Sequence, residues 1–562
     1  MDQNVGYPIL SVLIFLPLAG AVVALFLKGD GLLKAWATAV TTVEFLLSIP
    51  LWTGFRTGTP AFQFRELWEW IPALDIRYAL GIDGISVLLV LLTTLILPLC
   101  VLCSWRYIEK RVKEFVFALL VMETAMIGVF CALDLVLFYV FWESMLIPMY
   151  LLIAVWGGPN RTYASIKFFL YTLAGSVLLL VAIIALYLSA GTFSIPDLMA
   201  RGYSFAFQFW VFLAFALAFA IKVPMFPFHT WLPAAHVEAP TAGSVVLASV
   251  LLKMGTYGFL RFCLPMTPLA AIYLAPVFLW GSVISILYGG FIALGQTDMK
   301  KLIAYSSVGH MGFVTLGIFL VNQRGIEGAL LQMINHGITT GALFICVGVI
   351  YERTHSRLIA DNSAVGSVMP MYVGFLGLFS LSSLAFPGTN SFVGELLVLI
   401  GAFSRWKLLA AFAVPGALLA AAYMLRLLQK IVWAQASGHH GHGEEHGHGH
   451  GEHRHLRDLD AREFGILAFL TIFVFWIGLG PKPFLHAMDA SIAQVIGTVE
   501  KQDRSAIPRD FPGLMSALGL TFGHEPTHGG PTPEGEHAAP GAHGVTPPVP
   551  AGQPGEHAPS AH

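Results

Sequence analysis

Long apolar segments follow one another along most of this chain, and they limit its possible folds more than any other feature. A segment of about 20 apolar residues is long enough to cross the roughly 30 Å hydrocarbon core of a bilayer as a helix. The pattern predicts about 14 such segments between residues 7 and 480. Only 11% of the 562 residues are charged, whereas about a quarter are charged in soluble domains. The sequence therefore predicts an all-α polytopic membrane protein.

Charge and cysteine usage exclude several other classes. The formal net charge is −2, so nothing indicates a nucleic-acid partner. The five cysteines lie in or beside apolar segments and form no extracellular disulfide framework. Cys100 and Cys103 have C-x-x-C spacing, but no second pair follows, and we interpret them as small apolar residues rather than a redox or metal pair. The first apolar segment lacks preceding basic residues, so we interpret it as a retained helix and not as a signal peptide.

Loops and helix breaks divide the chain into six predicted parts. These are helices 1–3 (1–113), a five-helix repeat of helices 4–8 (114–263), a second, inverted repeat of helices 9–13 (270–433), a His-rich cytoplasmic loop (434–462), a last membrane helix (463–480) and a C-terminal tail (481–562). We expect the tail to be disordered from about residue 505, because it is rich in Pro, Gly and His. Lys and Arg are more frequent in the loops on one side, which predicts that side to be cytoplasmic and both termini to lie outside.

Four charged side chains fall inside apolar segments, where each costs about 2.5–3.5 kcal/mol on insertion scales. They are Glu143, Lys222, Lys253 and Glu395. Lys222 could reach an interface from the end of its segment. Lys253, some ten residues from either end of its segment, could instead form a structural ion pair with one of the acids. Two acids and two bases at depth in one chain together favour a path for protons.

Titratable side chains in the neighbouring segments extend this set. His310 and His336 lie in apolar surroundings, where a buried neutral histidine is common but a proton relay is the alternative, because histidine titrates nearest neutral pH. His229 and His236 follow the seventh segment and could form an entrance to the path. Glu123 is also buried, and either a subunit interface or proton flow could explain it.

Two apolar segments are broken by proline. The first break is at Lys222–Val223–Pro224 and the second, five segments later, is at Pro387–Gly388–Thr389. Interrupted helices at matching positions of two halves are typical of inverted repeats with an ion site near the midplane. Irregular backbone at this depth must be buried in protein or line water. We therefore expect a hydrated cavity at each break. The chain has no nucleotide loop, haem motif or Fe–S cysteine set, so another subunit must supply the energy.

Four stretches of the sequence resemble a known family. They are "LDLVLFYVFWESMLIPMYLLI", "KVPMFPFHTWLPAAHVEAPTAGSVVLASVLLKMGTYGFLRF", "DMKKLIAYSSVGHMGF" and "FPGTNSFVGE". They look like subunit M of bacterial complex I, the proton-translocating NADH:quinone oxidoreductase, and like the wider antiporter-like (Mrp-type) subunit family. The similarity covers about residues 80–435. The flanking segments fit the 14-helix plan of that family, with two inverted five-helix repeats that each contain a broken helix.

The resemblance implies roles for six residues. By this resemblance they form a buried axis for proton transfer. Its members are an input glutamate and lysine (Glu143 and Lys222), a central lysine (Lys253), two histidines (His310 and His336) and a terminal glutamate (Glu395). L- and N-type relatives usually carry lysine at the terminal position. It implies an H⁺-translocating NADH:quinone reductase subunit in the bacterial inner membrane, beside L- and N-type neighbours. FMN, Fe–S clusters and quinone are expected in partner subunits, with no cofactor, metal or redox chemistry in this chain.

Several features leave alternatives open. Ala234 stands where many relatives carry Asp, which puts in doubt an acid's role at that loop. The eight-histidine stretch around 439–455 is interpreted as a solvated loop, although weak Zn²⁺ or Ni²⁺ binding is an alternative. A Mrp-type cation/proton antiporter or a membrane-bound hydrogenase subunit shares the Glu–Lys–Lys core. A metal transporter would need ligands within the membrane segments, where few Asp or Cys–His sets occur.

Overall fold

The structure, a computed structural model, describes residues 7–433 and 456–507. Within these ranges, 13 helices are long and apolar enough to cross a membrane. A further apolar crossing is divided between two shorter helices. The prediction of an all-α polytopic membrane protein is confirmed. The prediction for the His-rich stretch 439–455 and for the tail beyond residue 507 lies outside the described residues.

The helices are numbered α1 to α21 in chain order. The first ten are α1 (Ile9–Phe26), α2 (Asp30–Thr53), α3 (Ser86–Cys103), α4 (Val112–Cys131), α5 (Leu135–Ser144), α6 (Leu146–Trp156), α7 (Arg161–Ala190), α8 (Ile195–Met199), α9 (Phe205–Lys222) and α10 (Trp231–Glu238). The others are α11 (Thr241–Val246), α12 (Leu252–Gly258), α13 (Leu264–Met266), α14 (Pro268–Leu294), α15 (Met299–Phe319), α16 (Gln323–Thr354), α17 (Pro370–Ser383), α18 (Asn390–Arg405), α19 (Lys407–Leu428), α20 (Ala461–Leu479) and α21 (Lys482–Glu500).

Both predicted helix breaks are present. Helix α9 ends at Lys222 and α10 begins at Trp231, so the proline lies in an irregular turn between them. The indole Nε1 of Trp231 donates to the Ile221 carbonyl at 2.8 Å and so satisfies an acceptor at the end of α9. The second break separates α17 from α18. There, the amide of Asn335 donates to the Asn390 carbonyl at 2.8 Å. A side chain therefore replaces a helical hydrogen bond at the first break, and at the second a side chain of α16 bonds to the backbone of α18.

Two further irregularities were not predicted. The crossing at Thr241–Met266 contains two π-helical turns, at Leu247–Leu251 and Phe259–Cys263. Such turns are often found at functional sites. The crossing at Leu135–Trp156 is divided at Met145, where α5 gives way to α6. No Pro or Gly stands within either π-helical turn, so the sequence lacks the usual signal of a helix irregularity.

A β-hairpin outside the membrane crossings was also not predicted. Strands β1 (Gln63–Ile71) and β2 (Ile76–Ile82) pair antiparallel between α2 and α3. The carboxylate of Glu66 on β1 accepts from the backbone N–H of Leu10 at 2.7 Å. This contact satisfies a donor at the start of α1, where no side chain of the helix itself caps it. The hairpin therefore ties its loop to the first membrane helix.

The first part of the predicted C-terminal tail (481–562) contains a helix. Residues 482–500, before the stretch expected to be disordered, form α21. Phe484, Met488, Ile492 and Val495 are buried on one face of α21, at helical spacing. Polar residues between these positions lower the mean hydropathy, which hides the helix from a search for membrane spans.

The centre of the fold is formed by two crossings. The most apolar part of Thr241–Met266 is fully buried, and so is that of α16. Helices α2, α7, α19 and α20 lie nearer the outside, with well under half of their apolar stretches buried. Lys253 and His336 therefore lie on the two innermost crossings.

Candidate functional site

Two of the six predicted residues are in direct contact at the centre. The Nζ atom of Lys253 lies 2.7 Å from Nδ1 of His336. Nζ also donates to the carbonyl of Ala248, five residues earlier in the π-helical turn. Lys253 has no solvent exposure, and His336 is 2% exposed. The π-helical turn thus supplies a carbonyl acceptor that holds the amine against the imidazole.

A close approach of two crossings creates this contact. The hydroxyl of Ser249 in the π-helical turn donates to the Gly337 carbonyl on α16 at 2.7 Å. A Cβ atom added at Gly337 would lie 3.0 Å from the Ser249 carbonyl and 2.8 Å from Leu92. Only glycine allows this spacing without a shift. Because His336 precedes Gly337, this close approach of the two crossings brings the His336 ring beside Lys253.

His310 and Glu395 form a second buried contact. The Nδ1 atom of His310 lies 2.9 Å from Oε1 of Glu395, and its Nε2 lies 3.2 Å from the Ser383 hydroxyl. The amide of Gln332 donates to the same Glu395 oxygen at 3.0 Å. The carboxylate and the imidazole are both nearly inaccessible to solvent. The ring centroids of His310 and His336 are 5.9 Å apart, so the two contacts adjoin each other.

Close helix packing at two other glycines positions Glu395. A Cβ atom at Gly394 would lie 2.5 Å from Oε1 of Gln332, and one at Gly328 would lie 2.6 Å from the Val398 nitrogen. Helices α16 and α18 therefore approach backbone to backbone, as small residues permit in membranes. Asn390, at the start of α18, accepts from Ser382 at 2.6 Å. The broken crossing is thus lined by hydrogen-bonded polar side chains next to Glu395.

Lys222 has a different environment. Its Nζ lies 3.5 Å from the Met145 sulfur and 5.0 Å from the centre of the Trp142 ring. Glu143 is on the same crossing as Trp142, is half-buried and interacts electrostatically with Lys222. Within the described part of the chain, however, no ion pair of 4.0 Å or less joins Glu143 to Lys222. The Oε1 atom of Glu143 is buried without a hydrogen-bond partner there.

Lys222 and Lys253 lie on packed helices but contact different partners. A Cβ atom at Gly255 would lie 3.1 Å from Cβ of Lys222, so the two backbones are close. Phe219, one turn before Lys222, packs against the Trp142 ring at 5.7 Å. Lys253 instead contacts His336 on α16. The structure thus forms two groups, one around Lys222 and one from Lys253 to Glu395.

The other sequence candidates pack against other side chains, although His236 lies within electrostatic reach of Lys253 and His336. His229 packs against the Tyr288 ring at 4.9 Å. His236 has no solvent exposure and stacks on Phe344 at 4.5 Å. Ala234 is half-buried on α10. Glu123 is fully buried on α4, and its carboxyl group interacts electrostatically with that of Glu44 on α2.

Sequence reasoning missed several polar residues of the site. Gln332 lies four residues before His336, so both share one face of α16. That spacing inside an apolar run was the available signal for the amide. The lone hydroxyl of Ser383 carried no comparable signal. Glu44 did carry one, because it is a carboxylate midway along the apolar segment of α2, and it was overlooked. Among residues 7–433 and 456–507, no group of three or more His, Cys, Asp or Glu side chains could hold a metal ion.

Known protein families match most of the chain. The family described as NADH:quinone oxidoreductase/Mrp antiporter, transmembrane, matches residues 132–420. The family described as NADH-ubiquinone oxidoreductase chain 4, amino terminus, matches residues 13–129. All six predicted site residues fall within the first of these matches.

Individual relatives and a solved structure agree with the family matches. NADH-quinone oxidoreductase subunit M of Rhodobacter capsulatus is 46% identical over 507 residues, which cover 87% of this chain and 96% of the relative. NADH-ubiquinone oxidoreductase chain 4 of Chondrus crispus is 43% identical over 484 residues, covering 85% and 96%. A chain in the structure of respiratory complex I from Thermus thermophilus with bound NADH superposes with a TM-score of 0.77 and 32% identity, covering 87% and 100%. This chain therefore belongs to the subunit M (chain 4) family of the NADH:quinone oxidoreductases.

Proposed function

We propose that this chain is a proton-translocating membrane subunit of an NADH:quinone oxidoreductase in a bacterial inner membrane. Its axis consists of an input pair and four further groups, Glu143, Lys222, Lys253, His336, His310 and Glu395. The observation that carries the proposal is the buried series of contacts from Lys253 through His336 and His310 to Glu395. Membrane-embedded ionisable groups are costly and rare, and proton relays are among the functions that retain them.

The geometry supports stepwise transfer. With Lys253 protonated, Nζ donates to Nδ1 of His336, and transfer along that contact leaves a neutral amine and an imidazolium. The imidazolium can then release its Nε2 proton toward His310. With Glu395 ionised, His310 donates from Nδ1 and is stabilised as an imidazolium by that carboxylate. The sequence Lys, His, His, Glu thus alternates groups that hold and release a proton.

The energy source and the partners follow from the family. A charge crossing about 100 mV costs roughly 2.3 kcal/mol. Quinone reduction in other subunits would supply it, and FMN, Fe–S clusters and quinone would be bound there. L- and N-type antiporter-like subunits would be the membrane neighbours. A Mrp-type antiporter, which the matching family description also names, is the alternative. Copurification with Fe–S and flavin subunits in mild detergent decides between them.

The test uses the assembled complex in proteoliposomes. Glu143→Ala and Lys222→Ala should each abolish or strongly reduce proton pumping per quinone reduced, with the complex still assembled. Lys501→Met, at an exposed lysine beyond α21, is the matched control and should pump like the parent. Normal pumping in both assembled axis variants would overturn the proposed function.

A further inference from the structure

Two buried glutamates lie on helices that carry no residue of the axis. Glu44 is on α2 and Glu123 is on α4, and neither side chain has any solvent exposure. Counted at 1.5 Å per residue from Asp30 and Val112, where the two helices begin, Glu44 lies about 21 Å and Glu123 about 17 Å along its helix. Both carboxyl groups are therefore near the middle of a hydrocarbon core of roughly 30 Å.

No cation neutralises these two groups within the part of the chain that the structure describes. Neither glutamate forms an ion pair there. Each carboxyl group interacts electrostatically with the other, and Glu123 also interacts with the thiol of Cys100 on α3. Two carboxylates at this depth would repel each other, and burial would remove the water that could compensate them. The pair is therefore not ionised at both groups together.

The hydrogen bonds that the pair can form depend on its protons. All four carboxyl oxygens are buried, and none has a hydrogen-bond partner elsewhere in residues 7–433 or 456–507. A carboxylate only accepts hydrogen bonds, whereas a protonated carboxyl group also has an O–H donor. Two protonated groups can donate to each other, and two such bonds give all four oxygens a partner. Because buried polar atoms are nearly always hydrogen-bonded, the neutral pair meets a requirement that two carboxylates cannot.

The two glutamates lie where an outer helix meets the bundle. Only 33% of the most apolar part of α2 is buried, and the buried face of the helix includes Thr41, Glu44 and Ser48. One turn after Glu44, the hydroxyl groups of Ser48 and Thr94 on α3 share a hydrogen bond of 2.8 Å. Hydrogen bonds between helices are among the forces that associate them in a bilayer, where burial of apolar surface contributes little. The glutamates are thus placed to join α2 to α4.

We propose that Glu44 and Glu123 bind two protons as a neutral pair of carboxylic acids, and that the hydrogen bonds between them fasten α2 to α4. Each O–H donates to the carbonyl oxygen of the other group, so the pair carries no charge. The pair is a proton-binding site outside the axis, because no hydrogen bond within the described residues leads from it toward Lys253 or Glu143. This inference goes beyond the proposed function and does not depend on it.

The first test is a high-resolution map of the assembled complex by electron cryo-microscopy. A pair joined by O–H···O bonds places the nearest oxygens of Glu44 and Glu123 about 2.5–3.0 Å apart, with no density between them. Density for a water molecule or an ion between the two groups would overturn the pair. Replacing choline by sodium should leave the melting temperature of the complex unchanged. A rise that occurs in the parent but not in Glu44→Gln/Glu123→Gln would also overturn the pair, because it would indicate a cation site.

Melting temperatures of the purified complex test the fastening. Glu44→Gln should melt within about 1 °C of the parent, because an amide both donates and accepts. Glu44→Leu should melt about 2–6 °C lower, since it leaves Glu123 buried without a partner, and Glu44→Leu/Glu123→Leu should recover most of that loss. Glu114→Leu, at an exposed glutamate of α4, is the matched control and should melt like the parent. A Glu44→Leu complex that melts like the parent, or leucine losses that simply add, would overturn the fastening.

Proton pumping separates this pair from the axis. Glu44→Gln/Glu123→Gln lacks both acid groups and should pump at the parental rate per quinone reduced in proteoliposomes, whereas Lys222→Ala should not. Loss of pumping in the assembled double variant would overturn the placement of the pair outside the axis. Normal pumping in Lys222→Ala as well would count against the proposed function and leave the pair standing.

Discussion

The Nζ atom of Lys253 lies 2.7 Å from the Nδ1 atom of His336, and both side chains are buried in the two innermost crossings. Two basic groups this close repel each other if both are protonated, and burial removes the water that would screen them. One proton shared by the pair is therefore favoured over two. A pair that holds one proton and passes it between two atoms can release it readily to a third group.

The first prediction concerns proton release by the central lysine. Lys253→Met should lower proton pumping by the assembled complex at least about tenfold, because no proton donor remains beside Nδ1 of His336. Proton pumping by Lys253→Arg should fall by a similar factor, since a guanidinium keeps its charge but does not release its proton. Pumping rate per quinone reduced in proteoliposomes is the measurement. An arginine variant that pumps like the parent would show that only the positive charge matters, as in a structural ion pair.

The second prediction separates the carboxylate from its supporting amide. Glu395→Gln should reduce pumping at least about tenfold, because a neutral amide cannot stabilise an imidazolium at His310. Gln332→Met removes one hydrogen bond to the same oxygen, so it should reduce pumping by a smaller factor. Both variants are compared in complexes with equal flavin and Fe–S content. A larger loss in the Gln332 variant than in the Glu395 variant contradicts the assigned roles.

The sequence predicted the costly groups of the site, because a charge or a proline inside an apolar segment is seldom retained without a function. Lys222 beside its break and Lys253 in mid-segment were found in this way. Gln332 was not, since an amide is far less costly in a membrane than a charge. Contacts between helices depend on close packing at glycines, such as that of Gly337 against Ser249. No local pattern indicates which crossing a glycine faces.

The fold was predictable to a similar degree. Hydropathy gave the crossings and proline gave the breaks, because both signals are local. The π-helical turn at Leu247–Leu251 was missed because its residues are ordinary helix residues and tertiary contacts determine the turn. Helix α21 was missed because its buried face, with Met488 and Ile492, alternates with polar positions and has low mean hydropathy. Whether Glu143 and Lys222 pair directly was open in the sequence, and the described part of the chain holds them near each other without an ion pair.

The third prediction concerns a buried ion pair outside the axis. Arg261, in a π-helical turn, lies 2.5 Å from Oδ1 of Asp83, before α3, and both side chains are almost fully buried. Removing one partner leaves an uncompensated charge, which costs about 3–5 kcal/mol. Asp83→Leu and Arg261→Leu should each destabilise this chain by about that amount, while the double variant should lose much less than the sum. Thermal unfolding of the purified complex measures this, and strictly additive losses would contradict a coupled pair.

The fourth prediction is a pH dependence at Asp134, which caps α5 outside the membrane crossings. Its carboxylate accepts from the N–H groups of Val136 and Leu137 at 2.8 and 3.1 Å. Burial raises the pKa of Asp134 to about 6, despite these hydrogen bonds and one from Arg77, which act in the opposite direction. Its ordinary pKa is about 3.9. The folded state therefore holds the proton more tightly, and this contribution to stability is complete below about pH 4 and is lost as the pH rises through about 6.

Asp134→Asn isolates this effect, because asparagine keeps an oxygen acceptor for the cap but does not ionise. The melting temperature of the variant complex should rise relative to the parent between about pH 4.5 and 6.5, then remain level. The full change in this difference corresponds to at most about 2–3 kcal/mol in the free energy of unfolding. Asp503→Asn is the control, because hydrogen bonds from the Ser505 side chain and backbone lower the pKa of Asp503. Its contribution therefore changes only below about pH 4, and this variant should differ from the parent by a constant amount across the tested range. A constant offset between Asp134→Asn and the parent across this range would show that Asp134 acts only as a cap.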